Sequence, residues 1–376
     1  MKIKEKPEDF IVKEIIDLDK KPEGKTYRYF LMRKRNITTI QAIKIIARKL
    51  HISKRKIYFA GEKDKNTISE QYIAIRNFDE FKEEYNFGDV YLKYIGSYDE
   101  PIKISDIKYN YFKITVSDIK EEELKRFEEN IQYFKEQFFN YFDDQRFGNI
   151  RYCNHLIGKE LVKKNYEEAI KILLTYTSSQ EKENVRKARE FIKNNWGSFK
   201  EAIKLFPNFL DIERAVLNGL LETNNVRKTL RYIPKRILKL FVHSYQSYLW
   251  NLTLSNYIKK NFTDIKFIRT NVGDFYITKD IEKIKIKYIP TIGYNLDLNK
   301  YTEIRDIVQS ILNKEKIDLK DLYNEKKPSL TLISEDREVL SKVYDFDYKI
   351  SDRKIFLEFK LGRGSFATMF IKHLFS

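Results

Sequence analysis

Apolar and polar positions set out the first third of the chain. Phe10-Ile11-Val12 and Tyr27-Arg28-Tyr29-Phe30-Leu31 bracket a polar turn at Lys20 to Gly24, which predicts two strands. Thr38 and Thr39 then precede Ile40, Ile43, Ile46, Ala47 and Leu50, a spacing of three and four that predicts a helix behind a hydroxyl N-cap. Ile57-Tyr58-Phe59 and Tyr72-Ile73-Ala74-Ile75 read as strands, so the polar stretch from Gly61 to Gln71 is a loop anchored at both ends. Strands are expected at Val90 to Ile95 and Tyr111 to Val116, followed by a long helix from about Ile119 to Phe142. From Lys159 to about Lys260 the spacing is helical, as in Ala169, Ile172, Leu173 and Ile237, Leu240, Phe241. After Asn271 the pattern is mixed. Ile355, Leu357, Phe359 and Leu361 then alternate onto one face before a Gly-Arg-Gly-Ser turn and a helix over Phe366 to Phe375. The expected class is α+β with a helix-rich insertion.

Charge narrows the partner. The 72 Lys+Arg against 55 Asp+Glu leave +17, and residues 1 to 60 hold 17 Lys+Arg against 7 Asp+Glu, so +10 falls in the opening sixth. Such a surplus favours a polyanion: nucleic acid first, an anionic membrane surface second. Aromatics interleave with the cations, as in Lys108-Tyr109-Asn110-Tyr111-Phe112-Lys113, which suits unstacked bases beside phosphates. The same mixture also builds an aromatic core under a solvated Lys face. A single cysteine, Cys153, allows no internal disulfide and fits a reducing compartment. Met1 to Lys20 lacks a signal peptide's apolar stretch and no run of about 18 apolar residues occurs, so cytoplasm and no membrane contact are expected.

Several chemistries find no support. The histidines at 51, 155, 243 and 373 form no pair at metal-ligand spacing, so no metal is expected. Gly362-Arg363-Gly364-Ser365 lacks the spacing and lysine of a nucleotide-binding loop. No dinucleotide fingerprint or nucleophile-elbow serine is present either. What stands out is Asp64, between Lys63 and Lys65 on the strand-anchored loop: an acid set against cations keeps a charged, nucleophilic form. Read alone, such an Asp is also an ordinary turn or cap residue.

At this loop the chain resembles the TruD family of tRNA pseudouridine synthases. Gly61, Lys63, Asp64, Lys65 and Gln71 match its signature Gly-x-Lys-Asp-Lys-x-Ala-x-Thr-x-Gln, with Thr67 in place of Ala and Ser69 in place of Thr. Four further segments agree in order: Pro7-Glu8-Asp9-Phe10-x-Val12-x-Glu14, Asn110-x-Phe112, Asn140-Tyr141-Phe142 with Gln145-Arg146-Phe147-Gly148, and Gly364-Ser365-Phe366-Ala367-Thr368. Tyr109 stands where Gly often precedes the Asn, and Gly362 where Pro often stands.

The resemblance implies an RNA isomerase that turns uridine into its C-glycoside, with no cofactor and no metal. It implies tRNA or another structured RNA as partner, and by default the uridine at tRNA position 13. Asp64 becomes the catalytic residue near C1′ of the ribose, as nucleophile or as proton acceptor, and Lys4 the ammonium that holds it. Phe112 becomes the ring that stacks on the base and Asn110 its support. Lys63, Arg146 and Phe366 join them as candidate substrate contacts, and Arg146 and Gly148 as residues that set domain orientation. A catalytic domain over 1–149 and 336–376 is expected to flank an inserted domain at 150–335, with the basic N-terminal region and the insertion as walls of an RNA cleft. Two rivals stand beside this reading: an RNA-binding protein of the same fold without catalysis, and a basic membrane-surface protein.

Overall fold

The computed structural model describes residues 1–17, 24–79 and 81–376; of the turn expected at Lys20 to Gly24, only Gly24 lies within the described residues. The chain forms two compact units, Met1–Phe138 with Ser341–Ser376, and Phe139–Leu340 between them. These divisions differ from the expected ones at 149/150 and 335/336. Residues near both ends of the second unit pack within it: Tyr141 stacks on Phe275 at 5.2 Å, and the Asn140 amide donates to the Val339 carbonyl at 2.8 Å.

The first unit is built on one large sheet. Its strands run in the order Glu84–Asn86, Val90–Tyr98, Tyr27–Arg35, Ile68–Arg76, Phe10–Ile16, Ile107–Ser117, Lys354–Gly362, Leu340–Ser351 and Gln137–Phe139. Lys2–Ile3 pairs onto Ile107–Ser117, and Ile57–Phe59 onto Ile68–Arg76. From Glu84–Asn86 to Leu340–Ser351 the pairing is antiparallel except between Phe10–Ile16 and Ile68–Arg76, which are parallel. Register lines up Lys34, Ser69, Val12, Phe112 and Phe359 across five neighbouring strands, and Glu14, Asn110 and Leu361 two residues along. Because side chains alternate with period two, these positions share one face.

Two helices cover that face. Thr39–Lys49 begins at Thr38, whose hydroxyl accepts from the Gln41 amide, in keeping with the N-cap expected there. Its Ala42, Ile43, Ile46 and Ala47 pack with Phe30, Met32, Ile73, Ile75, Val90 and Leu92. Burying a side chain such as Ile46 contributes about 1.5–3 kcal/mol. Ala367–Leu374 sets Phe370 against Phe359 at 4.8 Å. The opposite face carries a second cluster, with Tyr27, Tyr29, Ala74 and Tyr98.

The helix expected to reach Phe142 stops at Phe134, and Gln137–Phe139 is a strand. Phe127, Phe134 and Phe138 hold helical spacing, yet Phe138 packs on Phe370 and His373, both at 5.3 Å, and adjacent aromatic rings favour an extended chain here. The second unit is mostly helical from Asn154 onward and holds the hairpin Ile265–Thr270 with Gly273–Thr278. Its longest helix, Lys235–Asn261, buries Trp250, whose indole N–H donates to the Ile289 carbonyl at 2.9 Å. Among the described residues no helix is long and apolar enough to cross a membrane.

Candidate active site

The loop after Gly61 is fixed by side chains from three elements. Gln71, on Ile68–Arg76, donates to the Gly61 carbonyl at 3.0 Å and accepts from the Thr39 hydroxyl at 2.8 Å. That hydroxyl accepts in turn from the Lys63 amide at 2.9 Å, so the start of the helix and the strand hold one end of the loop. The Lys63 ammonium bonds Glu14 at 2.9 Å, and the Glu14 carboxylate, with no exposed side-chain surface, also accepts from the Tyr72 amide. Lys63 therefore anchors the loop to Phe10–Ile16 in this structure. At the other end Thr67 is buried, its hydroxyl donating to the Asp64 carbonyl at 3.1 Å. Lys34, fully buried on Tyr27–Arg35, donates to the same carbonyl at 2.7 Å and to the Ile37 carbonyl at 2.7 Å.

With its backbone held, Asp64 presents its carboxylate to Lys4. The Lys4 ammonium lies 2.7 Å from Asp64 Oδ2, and the two side chains stay 24% and 29% exposed, open enough for a ligand to reach them. Lys4 reaches this point because Lys2–Ile3 is tied to Ile107–Ser117, the strand that Phe10–Ile16 also pairs with, and Lys4 follows that pairing with φ 64° in the left-handed region. A non-glycine residue there costs about 1–2 kcal/mol, which the surrounding contacts must offset. The same ammonium sits 4.0 Å from the centre of the Phe10 ring, a cation–π contact.

Beneath them, Phe10 meets Phe112 edge-on at 6.0 Å, and Phe112 stacks on Phe359 at 5.4 Å. Phe112 is only 8% exposed and in this conformation offers a base little area. Asn110 lies two residues along the same strand face; its Oδ1 is buried and accepts no hydrogen bond.

Similarity to known proteins decides the family. The family model described as tRNA pseudouridine synthase D (TruD) matches residues 1–374. The chain belongs to the TruD family. A Nanoarchaeum equitans protein named "Probable tRNA pseudouridine synthase D" is 39% identical over 395 residues, covering 100% of this chain and 98% of its own. The "tRNA pseudouridine synthase D" of Aquifex aeolicus is 31% identical over 100% of this chain and 98% of its own. The crystal structure of a Methanosarcina mazei protein titled "Putative tRNA pseudouridine synthase D (TruD)" superposes with a TM-score of 0.71 at 28% identity, over 99% of this chain and 93% of that one.

The family's motifs occupy distinct places in this TruD chain. Asp64, Lys4, Lys63, Asn110 and Phe112 gather around the loop in the first unit, where Phe366 is half-buried at the N-terminus of Ala367–Leu374. Arg146 belongs to the second unit. Its Nε donates to the Ser247 hydroxyl at 3.0 Å, its guanidinium lies 5.8 Å from the Phe142 ring centre, and burial pushes its pKa down. Asn140 in the same motif receives Arg337, which donates to its carbonyl and its Oδ1, both at 2.8 Å. Sequence reasoning missed Lys34, Thr39 and the anchoring role of Glu14. Lys34 had a signal: Phe30, Met32 and Lys34 alternate onto one face, so a lysine occupies a core position.

Proposed function

We propose that this TruD chain isomerises uridine to pseudouridine in tRNA, with position 13 as default target and Asp64 as the group that acts at C1′. In the reaction the N1–C1′ bond breaks, the uracil turns, a C5–C1′ bond forms and the proton on C5 leaves to solvent. Asp64 serves either as nucleophile at C1′ or as acceptor of a sugar proton. Lys4 fixes the orientation of its carboxylate by a charge-assisted hydrogen bond. The contact that carries this reading is Lys4 Nζ to Asp64 Oδ2, 2.7 Å, on a loop whose backbone is pinned from below and whose carboxylate stays accessible.

Asn110 Oδ1, buried and without a hydrogen-bond partner, becomes an acceptor for an N–H of the base only once the site opens as the uridine enters. Phe112 supports Phe10 and Lys4 from beneath, and any face it offers to the base opens as the uridine enters. Extruding a base from folded RNA costs a few kcal/mol, which contacts to phosphates and rings must offset. The +10 surplus of the first 60 residues provides the phosphate attraction.

The test is tRNA transcribed with tritium at uridine C5. Wild-type protein should release the label to water and leave pseudouridine at a discrete site. Binding without release from any tRNA would replace the enzyme by an RNA-binding protein of the same fold.

A further inference from the structure

Asp64 is gripped twice, and the second grip has no counterpart in the chemistry described above. Lys4 holds its carboxylate from the side open to solvent. Lys34 holds its backbone carbonyl from inside the fold, at 2.7 Å, and ties it through a second 2.7 Å bond to the carbonyl of Ile37, just before the helix Thr39–Lys49. Lys34 has no exposed surface, and both of these acceptors are neutral carbonyls. An ammonium kept in such a place is a burden on stability, since a buried charge is commonly replaced by an apolar side chain without loss. Its neighbours in the sheet are Ser69 and Val90, both uncharged.

We infer that Lys34 is a positioning residue: as an ammonium it clamps the peptide of Asp64 to the start of the helix and so fixes where the Asp64 carboxylate sits. The charged groups that reach it are Asp64 and Lys63 on the loop, and these pair outward with Lys4 and Glu14. Burial lowers its pKa to about 8, with attraction to Asp64 opposing and repulsion from Lys63 adding. The inference rests on the assignment of Asp64 above, because a displacement on the order of 1 Å matters only if that residue meets the reacting atoms; such misplacement costs roughly 100-fold in rate.

The experiment pairs amide hydrogen exchange with single-turnover tritium release for wild type and Lys34→Met, a replacement of similar length without charge. In the variant, amides of residues 61–67 should exchange at least about tenfold faster, while those of Ile107–Ser117 keep their rates. Chemistry should slow roughly 100-fold with RNA affinity within about threefold. Loop exchange and turnover both equal to wild type would overturn the clamp, and so would turnover lost only in proportion to the unfolded fraction. If Lys34→Met does not fold, Lys34→Gln, whose shorter amide cannot bridge both carbonyls, is measured the same way, and loop exchange and turnover both equal to wild type overturn the inference. Absence of tritium release from wild type would instead sink the functional reading, and the exchange comparison would still decide the clamp.

Discussion

Truncating Phe112 separates a ring that builds the fold from a ring that waits for substrate. Phe112 is 8% exposed, stacked on Phe359 at 5.4 Å and met edge-on by Phe10 at 6.0 Å. Phe112→Ala leaves a cavity in the sheet face under the loop, and such changes cost about 3–5 kcal/mol. A unit of this size loses about 2–4 °C of melting temperature per kcal/mol, so the transition should fall by roughly 6–20 °C. The assay is calorimetry of the free protein, with single-turnover tritium release measured well below the transition. If the ring also meets the base, turnover per folded molecule should drop a further 5- to 150-fold or so, the equivalent of about 1–3 kcal/mol of stacking. A melting temperature within about 2 °C of wild type would refute the reasoning, because a ring that costs nothing to remove is not part of this core.

Other parts of the site make separate predictions. Glu14→Gln leaves the Lys63 ammonium, 11% exposed, without its carboxylate; denaturant unfolding should show a loss of about 3–5 kcal/mol, and an unchanged midpoint would contradict a buried pair. Lys34 has a folded pKa of about 8, below its ordinary value of 10.5. The unfolded chain therefore binds more protons between those values, so this group's contribution to stability grows as pH rises from about 8 toward 10.5 and is lost as pH falls, on the order of 3 kcal/mol in total. Subtracting the stability–pH curve of Lys34→Met isolates that slope, and parallel curves would contradict it. Lys54, Arg55 and Lys56 form an exposed turn after Ser53; replacing all three by Ala should flatten the slope of log affinity against log salt by about 0.7–0.9 for each phosphate no longer neutralised, whereas an unchanged slope would clear them of a role in RNA binding.

Periodicity carried much of the fold. Ile43, Ile46 and Ala47 marked the first helix and its buried side, Thr38 marked its start, and Ile355 to Leu361 marked the strand that packs beside Phe112. Local pattern failed where aromatic residues follow one another: Phe134 to Phe142 fits a helix by spacing, and only packing against Phe370, His373 and Phe275 decides where helix ends and the second unit begins. The candidate site was legible unevenly. Lys4 and Asp64 are sixty positions apart, and no rule of spacing joins them; the motif resemblance pairs them, and the fold sets their charged groups 2.7 Å apart. Lys34 stayed hidden because a lysine reads as a solvated residue, although its place on an alternating strand puts it in the core. Lys63 and Arg146 read equally well as contacts for an anion, and the fold commits their hydrogen bonds to Glu14 and Ser247.

Replacing the Asp64 carboxylate by an amide tests whether that carboxylate carries out uridine isomerisation. Wild type and Asp64→Asn are mixed in excess with tRNA labelled with tritium at uridine C5, and label released in a single turnover is followed alongside RNA affinity. The account expects Asp64→Asn to bind RNA within a few-fold of wild type and to release label slower by on the order of 10⁴ or more, as loss of an essential catalytic side chain typically does. Release within about tenfold of wild type would contradict it, and so would equal losses of binding and rate, which would make Asp64 a structural residue of the loop.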